Sequence, residues 1–186
     1  YDREGLFLRT LALSCFDQVA HEIQRDLNWS SDSSQESKQA SSKQEDPYEI
    51  AAIHWYDGME GYENAEAPTI LVALRCGLVE LLKNEEDNNP MVIKTQLNLT
   101  QCRWNPSGTL FAVCGSQKVK IKNGEMRTLL FLKFYSPFGS LLYNMRIPGK
   151  KISDFSWEGS GLRISLCVDS SLFFVNLRHV YSWGLL

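Results

Sequence analysis

The chain repeats one pattern of apolar and polar positions three times. In each copy, a run in which apolar and polar residues alternate ends in a tryptophan, and a turn that contains glycine follows. The copies occupy residues 50–58, 99–108 and 152–161, and their tryptophans are about 50 residues apart. Alternation with a period of two is typical of a β-strand that is buried on one face. The pattern therefore predicts three repeats that each begin with a strand and a turn.

Further short apolar runs follow each turn. They lie at residues 69–74, 78–82 and 91–95 in the first repeat, at 110–114, 129–135 and 140–147 in the second, and at 162–168 and 172–177 in the third. Four short strands in about 50 residues are typical of one blade of a β-propeller. Residues 70–74 are apolar at every position, as expected for an inner strand that a neighbouring blade covers on each side.

These repeats predict an all-β fold, a fragment of a β-propeller with about three four-stranded antiparallel blades. The predicted parts are the end of a truncated blade (residues 1–13), an inserted loop (14–49), two blades (50–98 and 99–150) and a partial blade (151–186). A closed propeller needs about 4–8 blades. We therefore expect the chain to be part of a longer product, and not to fold alone, because its outermost strands would be open edges.

The inserted loop departs from the repeat. Residues 30–46 consist almost entirely of Ser, Gln, Lys, Glu and Asp, so they cannot bury enough apolar surface to offset their ordering entropy and are expected to be disordered. Before them, apolar residues recur at helical spacing from Phe16 to Leu27, with Ser14 as a candidate cap. This spacing predicts a short helix that docks on the blade or packs against a partner.

The second blade contains a basic segment. We expect residues 115–128 to form a long hairpin loop, and its cationic side chains are Lys118, Lys120, Lys122 and Arg127. The three lysines alternate along the chain, so on an extended strand they would share one face. A solvated loop is the default interpretation. The alternative is a contact with a partner or a lipid, in which the loop binds an acidic peptide or a phosphoinositide.

Composition narrows the class of protein. The chain has 186 residues, of which 44% are hydrophobic and 22% charged, and its net charge is −3. These values are ordinary for a globular domain and predict no general attraction to nucleic acid. No apolar run approaches the roughly 18 residues that a membrane helix needs, and no signal peptide is evident. The five cysteines are odd in number and lack a C-x-x-C spacing, which favours free buried thiols in a reducing compartment.

The sequence offers no constellation that indicates catalysis. Its three histidines are scattered, no G-x-S-x-G turn is present, and no close Cys/His pairs suit zinc, so we predict a protein that is not an enzyme and needs no cofactor or metal. His54 is interpreted as structural. The repeated tryptophans and turn glycines are interpreted as structural anchors of the blades. These anchors are Trp55, Trp104, Trp157, Gly108, Gly139 and Gly161.

Specific motifs within the repeats resemble one family. The motifs are AIHWYDGMEGY at residues 52–62, FYSPFG at 134–139 followed by IPGK at 147–150, and SWEGSGL at 156–162 followed by WG at 183–184. They resemble the WD repeat-containing protein 35 family, a WD-repeat subunit of intraflagellar transport complex A. The resemblance extends over residues 1–11 and 50–186 in one order. The chain departs from that family in its long insertion, and no blade carries the WD dipeptide.

The resemblance implies a non-catalytic WD-repeat scaffold that acts in retrograde ciliary transport, in cilium assembly and in the import of ciliary membrane proteins. The implied partners are the other subunits of complex A and, indirectly, tubby-like adaptors and membrane-protein cargo, with no nucleic acid. The implied location is the cytoplasm and the cilium, at the axoneme and basal body. A tubby-like WD-repeat protein that recruits substrates to a ubiquitin ligase is the alternative.

Overall fold

A computed structural model describes residues 13–14, 49–56, 67–121 and 124–177, and within them the chain folds into antiparallel β-sheets. Four sequence predictions lie outside the described residues. These are the truncated N-terminal blade, the short helix, the low-complexity tract and the placement of Lys122. No helix is present in the part of the chain that the structure describes.

The described strands form three sheets in chain order, which we call blades 1, 2 and 3. Blade 1 consists of β1 (Ile50–Trp55), β2 (Ile70–Leu74), β3 (Leu78–Leu82) and β4 (Met91–Lys94); blade 2 of β5 (Asn98–Trp104), β6 (Phe111–Lys120), β7 (Met126–Tyr135) and β8 (Leu141–Ile147); blade 3 of β9 (Ile152–Trp157), β10 (Arg163–Val168) and β11 (Ser171–Asn176). Within each blade, every strand pairs with the next along the chain. The all-β prediction and the order of strands are therefore confirmed.

Glycine forms the turns at one end of the blades. Gly108 and Gly161 each follow the first strand of their blade, and Gly139 lies between β7 and β8. Their φ angles are +66°, +70° and +82°, a conformation that L side chains rarely adopt. At Gly139 a Cβ atom would also lie 2.7 Å from the Met91 sulfur of blade 1, so the flexible Met91 side chain would have to shift to accommodate a larger residue.

Two apolar layers hold the blades face to face. The first lies between blades 1 and 2 and includes Leu71, Leu81 and Trp104, and the second lies between blades 2 and 3 and includes Phe134 and Leu166. Blade 2 is therefore covered on both faces, which explains why its inner strands are apolar on both sides. Alternate residues of β6 serve the two layers, Phe111 and Val113 facing blade 1 and Ala112 and Cys114 facing blade 3.

The predicted hairpin loop at residues 115–128 is wrong in its extent. The strands β6 and β7 continue through most of it, pairing from Gly115 with Phe131 to Lys120 with Met126. The turn itself is limited to residues 121–125, where the Gly124 amide donates to the Ile121 carbonyl. The segment is thus a two-stranded ribbon that extends beyond the blade, because local pairing satisfies its backbone without a core.

Candidate interaction surfaces

The tryptophan that ends the first strand of a blade faces the preceding blade. Trp104 is 2% exposed, and its indole Nε1 donates to the Thr69 carbonyl of blade 1 at 2.9 Å. Trp157 is partly buried, and its Nε1 lies 3.4 Å from the Arg103 carbonyl of blade 2. The two side chains therefore bury apolar area and also fix the position of one blade on the next.

The expected burial does not hold for Trp55, which is 55% exposed. Trp55 shares a face of blade 1 with Ile53, which is 64% exposed, and with Ile70. This face points away from blade 2, and of the described residues outside blade 1 only Leu13 packs against its apolar cluster. By analogy with Trp104 and Trp157, it is the face on which a preceding blade would rest.

A buried charged residue occupies the same position in two blades. Glu80 of β3 pairs with Val72 and Lys133 of β7 pairs with Val113. Each lies two residues before the end of the third strand of its blade, on the face towards the preceding chain segment. The Lys133 amine donates to the Thr95 carbonyl of blade 1 at 2.7 Å. Burial lowers the pKa of Lys133 below its usual value of 10.5, because desolvation disfavours the charged amine.

Glu80 makes the corresponding contact, but it accepts hydrogen bonds where Lys133 donates one. The backbone amide and the hydroxyl of Ser14 both donate to Glu80 Oε1, at 3.0 and 3.2 Å. The first residue of the inserted loop is therefore held on blade 1. Glu49, the residue just before β1, is held there as well, since the Arg75 amide donates to its carbonyl and the Arg75 guanidinium pairs with its carboxylate at 2.7 Å.

Two more polar contacts cross between blades. The Trp104 backbone amide donates to His54 Nδ1 of blade 1 at 3.2 Å, which supports the structural interpretation of His54. Arg103 of blade 2 pairs with Asp154 of blade 3 at 3.1 Å. Like the two buried charges, these groups join neighbouring elements of the fold, and none of these contacts holds two carboxylates together or sets a histidine beside a nucleophile.

The basic residues of the ribbon do not form one patch. Lys118 and Lys120 lie on one face of β6, opposite Thr128 and Met126, whereas Arg127 pairs with Val119 and lies on the other face. All three cationic side chains are exposed. The prediction that alternating lysines would share a face on a strand holds for Lys118 and Lys120.

A groove of about 860 Å³ lies at the base of this ribbon. One wall comes from the β2–β3 turn and the link between blades 1 and 2, with Arg75 and Gln96, and the other from β6 and β7, with Lys118 and Thr128. The lining contains two cations, several amides and hydroxyls, and no carboxylate. We call it the ribbon groove.

A second, narrower cleft of about 550 Å³ separates blades 2 and 3. Its apolar lining includes Phe134, Tyr143 and Met145 of blade 2, and Leu162 of blade 3. Tyr143 and Met145 lie on β8, the fourth strand of blade 2, while blade 3 has three strands in the described residues. Their exposure follows from this difference, because no described strand of blade 3 lies opposite β8.

The cysteines divide into two groups. Cys102 and Cys114 are buried, and desolvation raises the pKa of each thiol to about 12. Cys76 and Cys167 are exposed, so the prediction of buried thiols is wrong for these two, and Cys15 lies outside the described residues. No group of three or more metal-binding side chains occurs among the residues that are described. In the same part of the chain, no helix is long and apolar enough to cross a membrane.

The fold and its blade contacts can now be compared with known proteins. The sequence model of the WDR35/TULP4 N-terminal β-propeller family matches residues 1–178. The chain belongs to this family. The resemblance on which the sequence prediction depended is thereby confirmed, and it extends across the inserted loop.

Individual relatives agree with this assignment. WD repeat-containing protein 35 of Homo sapiens is 35% identical over 184 residues, and that of Rattus norvegicus is 34% identical over the same length. Tubby-related protein 4 of Mus musculus is 25% identical over 117 residues, or 60% of the chain. The chain covers 13% of the length of the first two relatives and 8% of the third.

A solved structure with a similar fold is the Cps50 (Swd1) β-propeller domain of Myceliophteria thermophila. It is 11% identical, with a TM-score of 0.36, and the match covers 73% of this chain and 54% of that one. This likeness is too remote to bear on function.

Sequence reasoning missed the two buried charges, although a signal was present. Glu80 and Lys133 each interrupt a run that is otherwise apolar, LVELL and FLKFY. A single charged residue in a strand that is apolar on both faces must find a polar partner, because an unpaired buried charge is costly. Such a position therefore marks a contact of the blade with a neighbouring element of the fold.

Proposed function

We propose that this chain is part of a non-catalytic WD-repeat scaffold subunit of intraflagellar transport complex A, acting in retrograde ciliary transport, in cilium assembly and in the import of ciliary membrane proteins. The observation that carries the proposal is the 35% identity to WD repeat-containing protein 35 over 99% of the chain. Its partners are then the other subunits of the complex and, through them, tubby-like adaptors and membrane cargo. It works in the cytoplasm and in the cilium, at the axoneme and basal body.

The polar side chains that join neighbouring blades support a scaffold function. Lys133, Arg103 and His54, which an enzyme could use as cation or base, each take part in a hydrogen bond between blades. Two apolar layers then make the blades a rigid platform on which turns and strand edges are presented. The function of such a platform lies in what it binds.

Affinity purification of the tagged full-length protein from ciliated cells, with mass spectrometry of the bound proteins, tests the proposal. We expect the remaining subunits of complex A to be recovered. A Trp104→Ala variant, which disrupts the layer between blades 1 and 2, should recover fewer of them. A Lys150→Glu variant, altered at an exposed residue between blades 2 and 3, should recover them as the wild type does.

The same experiment addresses the alternative, a tubby-like WD-repeat adaptor of a ubiquitin ligase. The partial match to Tubby-related protein 4 is the observation that keeps it open. Recovery of ubiquitin ligase components without any transport subunit would refute the transport role and support the adaptor.

A further inference from the structure

The ribbon groove contains an open strand edge. β5 and β6 pair up to Asn98 and Ser116, and beyond that pair β6 continues for four residues without β5. The chain leaves the sheet at this point because Gln96 adopts a left-handed conformation, with φ of +62°, before β5 begins. Within the described residues, the β6 edge at 117–120 therefore lacks a neighbouring strand on this side, and Gln117 and Lys118 at its start line the groove.

An open edge of this kind is a site at which another strand can add. Its backbone N–H and C=O groups can pair with an extended segment, and the main-chain hydrogen bonds then supply affinity. A segment in line with β5 would run antiparallel to β6 and occupy the groove. The groove is polar, with Gln96, Asn98 and Gln117 among its lining residues, so it suits a segment with polar side chains.

The charge of the surroundings selects the partner. Lys118 lines the groove, Lys120 lies two residues further along the same face, and Arg127 lies on the opposite face of the ribbon. Arg75 beside the groove pairs with Glu49, so the positive potential comes from Lys118, Lys120 and Arg127, which outnumber the ribbon's described carboxylate, Glu125 at its turn. A strand with carboxylates at alternate positions would place them near these cations.

We propose that the β6 edge at residues 117–120 binds an extended acidic segment of a partner protein, which adds as a strand in line with β5. This inference goes beyond the transport role and does not depend on it. Failure of the proposal would leave the recovery of complex A subunits unchanged, so the two can be told apart.

The test uses the full-length protein and a fluorescein-labelled peptide in which Glu and Val alternate over eight residues, with binding followed by fluorescence anisotropy. A peptide of alternating Lys and Val is the charge control. A Glu–Val peptide that is N-methylated at alternate residues keeps its charge but loses the amides of one edge, so it is the control for strand addition. We expect the unmodified acidic peptide to bind at least about fivefold more tightly than either control.

Charge-reversed variants locate the site. The double variant Lys118→Glu, Lys120→Glu should weaken binding of the acidic peptide by about fivefold or more, since each exposed ion pair makes a small contribution. The matched double variant Lys150→Glu, Lys151→Glu makes the same charge change at exposed residues between blades 2 and 3, and should change binding less than twofold. Circular dichroism of each variant establishes that it is folded.

Hydrogen exchange gives a second readout that does not depend on the variants. Bound peptide should slow amide exchange in the segment that contains residues 117–120. Equal binding of the N-methylated peptide would overturn the proposal. Binding of phosphatidylserine vesicles that is lost in the Lys118, Lys120 variant, without binding of the peptide, would also overturn it and would assign the lysines to an anionic membrane.

Discussion

The contact between blades 1 and 2 includes one large buried side chain, Trp104, that also donates a hydrogen bond across it. Trp104 lies in the layer between the blades, with ring centroids 5.1 Å from Phe111 and 6.1 Å from Tyr56. Its Nε1 donates to the Thr69 carbonyl, which also accepts from the Tyr56 amide at 2.8 Å. We therefore take Trp104→Ala as the principal test of the packing argument.

The loss of stability expected for Trp104→Ala follows from the burial of the side chain. Removing a fully buried Trp side chain costs about 3–5 kcal/mol, since transfer energy is lost and a cavity remains. A Trp104→Phe variant keeps most of the apolar area and loses the indole donor. The Thr69 carbonyl still has the Tyr56 amide as a partner, so this variant should cost about 1 kcal/mol for the lost hydrogen bond.

Amide hydrogen exchange of the full-length protein measures how much each variant destabilises the region around residue 104. In peptides that contain β5, Trp104→Ala should reduce protection by about 100-fold or more, because each 1.4 kcal/mol is a factor of ten. Trp104→Phe should reduce it by about tenfold or less. If the alanine variant changes protection by less than about threefold, then Trp104 does not hold the two blades together and the reasoning from burial fails.

Three further predictions follow from the structure. Burial lowers the pKa of Lys133 in the folded protein, so the charged amine destabilises the folded state at pH values below this lowered pKa, and the destabilisation decreases as pH rises towards 10.5. The denaturation midpoint of the wild type should therefore rise through this pH range, and that of Lys133→Met should not. In the folded protein, iodoacetamide should label Cys167 and spare Cys102, whose thiol is buried with a pKa of about 12, as mass spectrometry would detect. A Cβ at Gly115 would lie 2.2 Å from the Asn98 carbonyl oxygen, so Gly115→Ala should destabilise the protein by about 1–3 kcal/mol in denaturation experiments. A Cβ at Gly124 would contact no atom of the described residues, but an alanine there would have to adopt a φ of +86°, so Gly124→Ala should destabilise it by about 1 kcal/mol.

The sequence was sufficient to predict the strands whose burial follows from the repeat. Residues 69–74 and 78–82 were predicted with the bounds of β3 and within one residue of those of β2, because both runs are apolar apart from Thr69 and Glu80. The fourth strands were also found, although β8 is exposed along most of its length. Alternation and turn glycines are local properties, so they can be recognised without knowing what each strand packs against.

The ribbon could not be predicted from the same signal. Residues 115–118 (GSQK) contain no apolar side chain, so the rule that finds buried strands ends at Cys114. What extends β6 is pairing with β7, and a strand that projects into solvent needs no apolar face. The alternation of Lys118 and Lys120 was the remaining indication, and it was correct about their shared face.

Trp55 shows a different limit of prediction from the sequence. Its sequence context is equivalent to that of Trp104, yet one side chain is exposed and the other buried. The difference lies in what stands opposite, since Trp104 meets blade 1 and Trp55 lies on the face that points away from blade 2. A repeat pattern fixes the direction in which a residue faces, and burial then depends on whether a neighbour is present.

The charged residues at equivalent positions differ in sign because each matches the polar groups that it meets. Lys133 needs an acceptor and finds the Thr95 carbonyl, while Glu80 needs donors and finds the amide and hydroxyl of Ser14. If the two residues were exchanged, a carboxylate would meet a carbonyl and an amine would meet an amide, and both charges would be buried without a suitable partner. Apolar layers tolerate many combinations because Leu and Val fit many surfaces, whereas mismatched buried charges are strongly penalised. Each buried charge is therefore specific for the segment that its blade contacts.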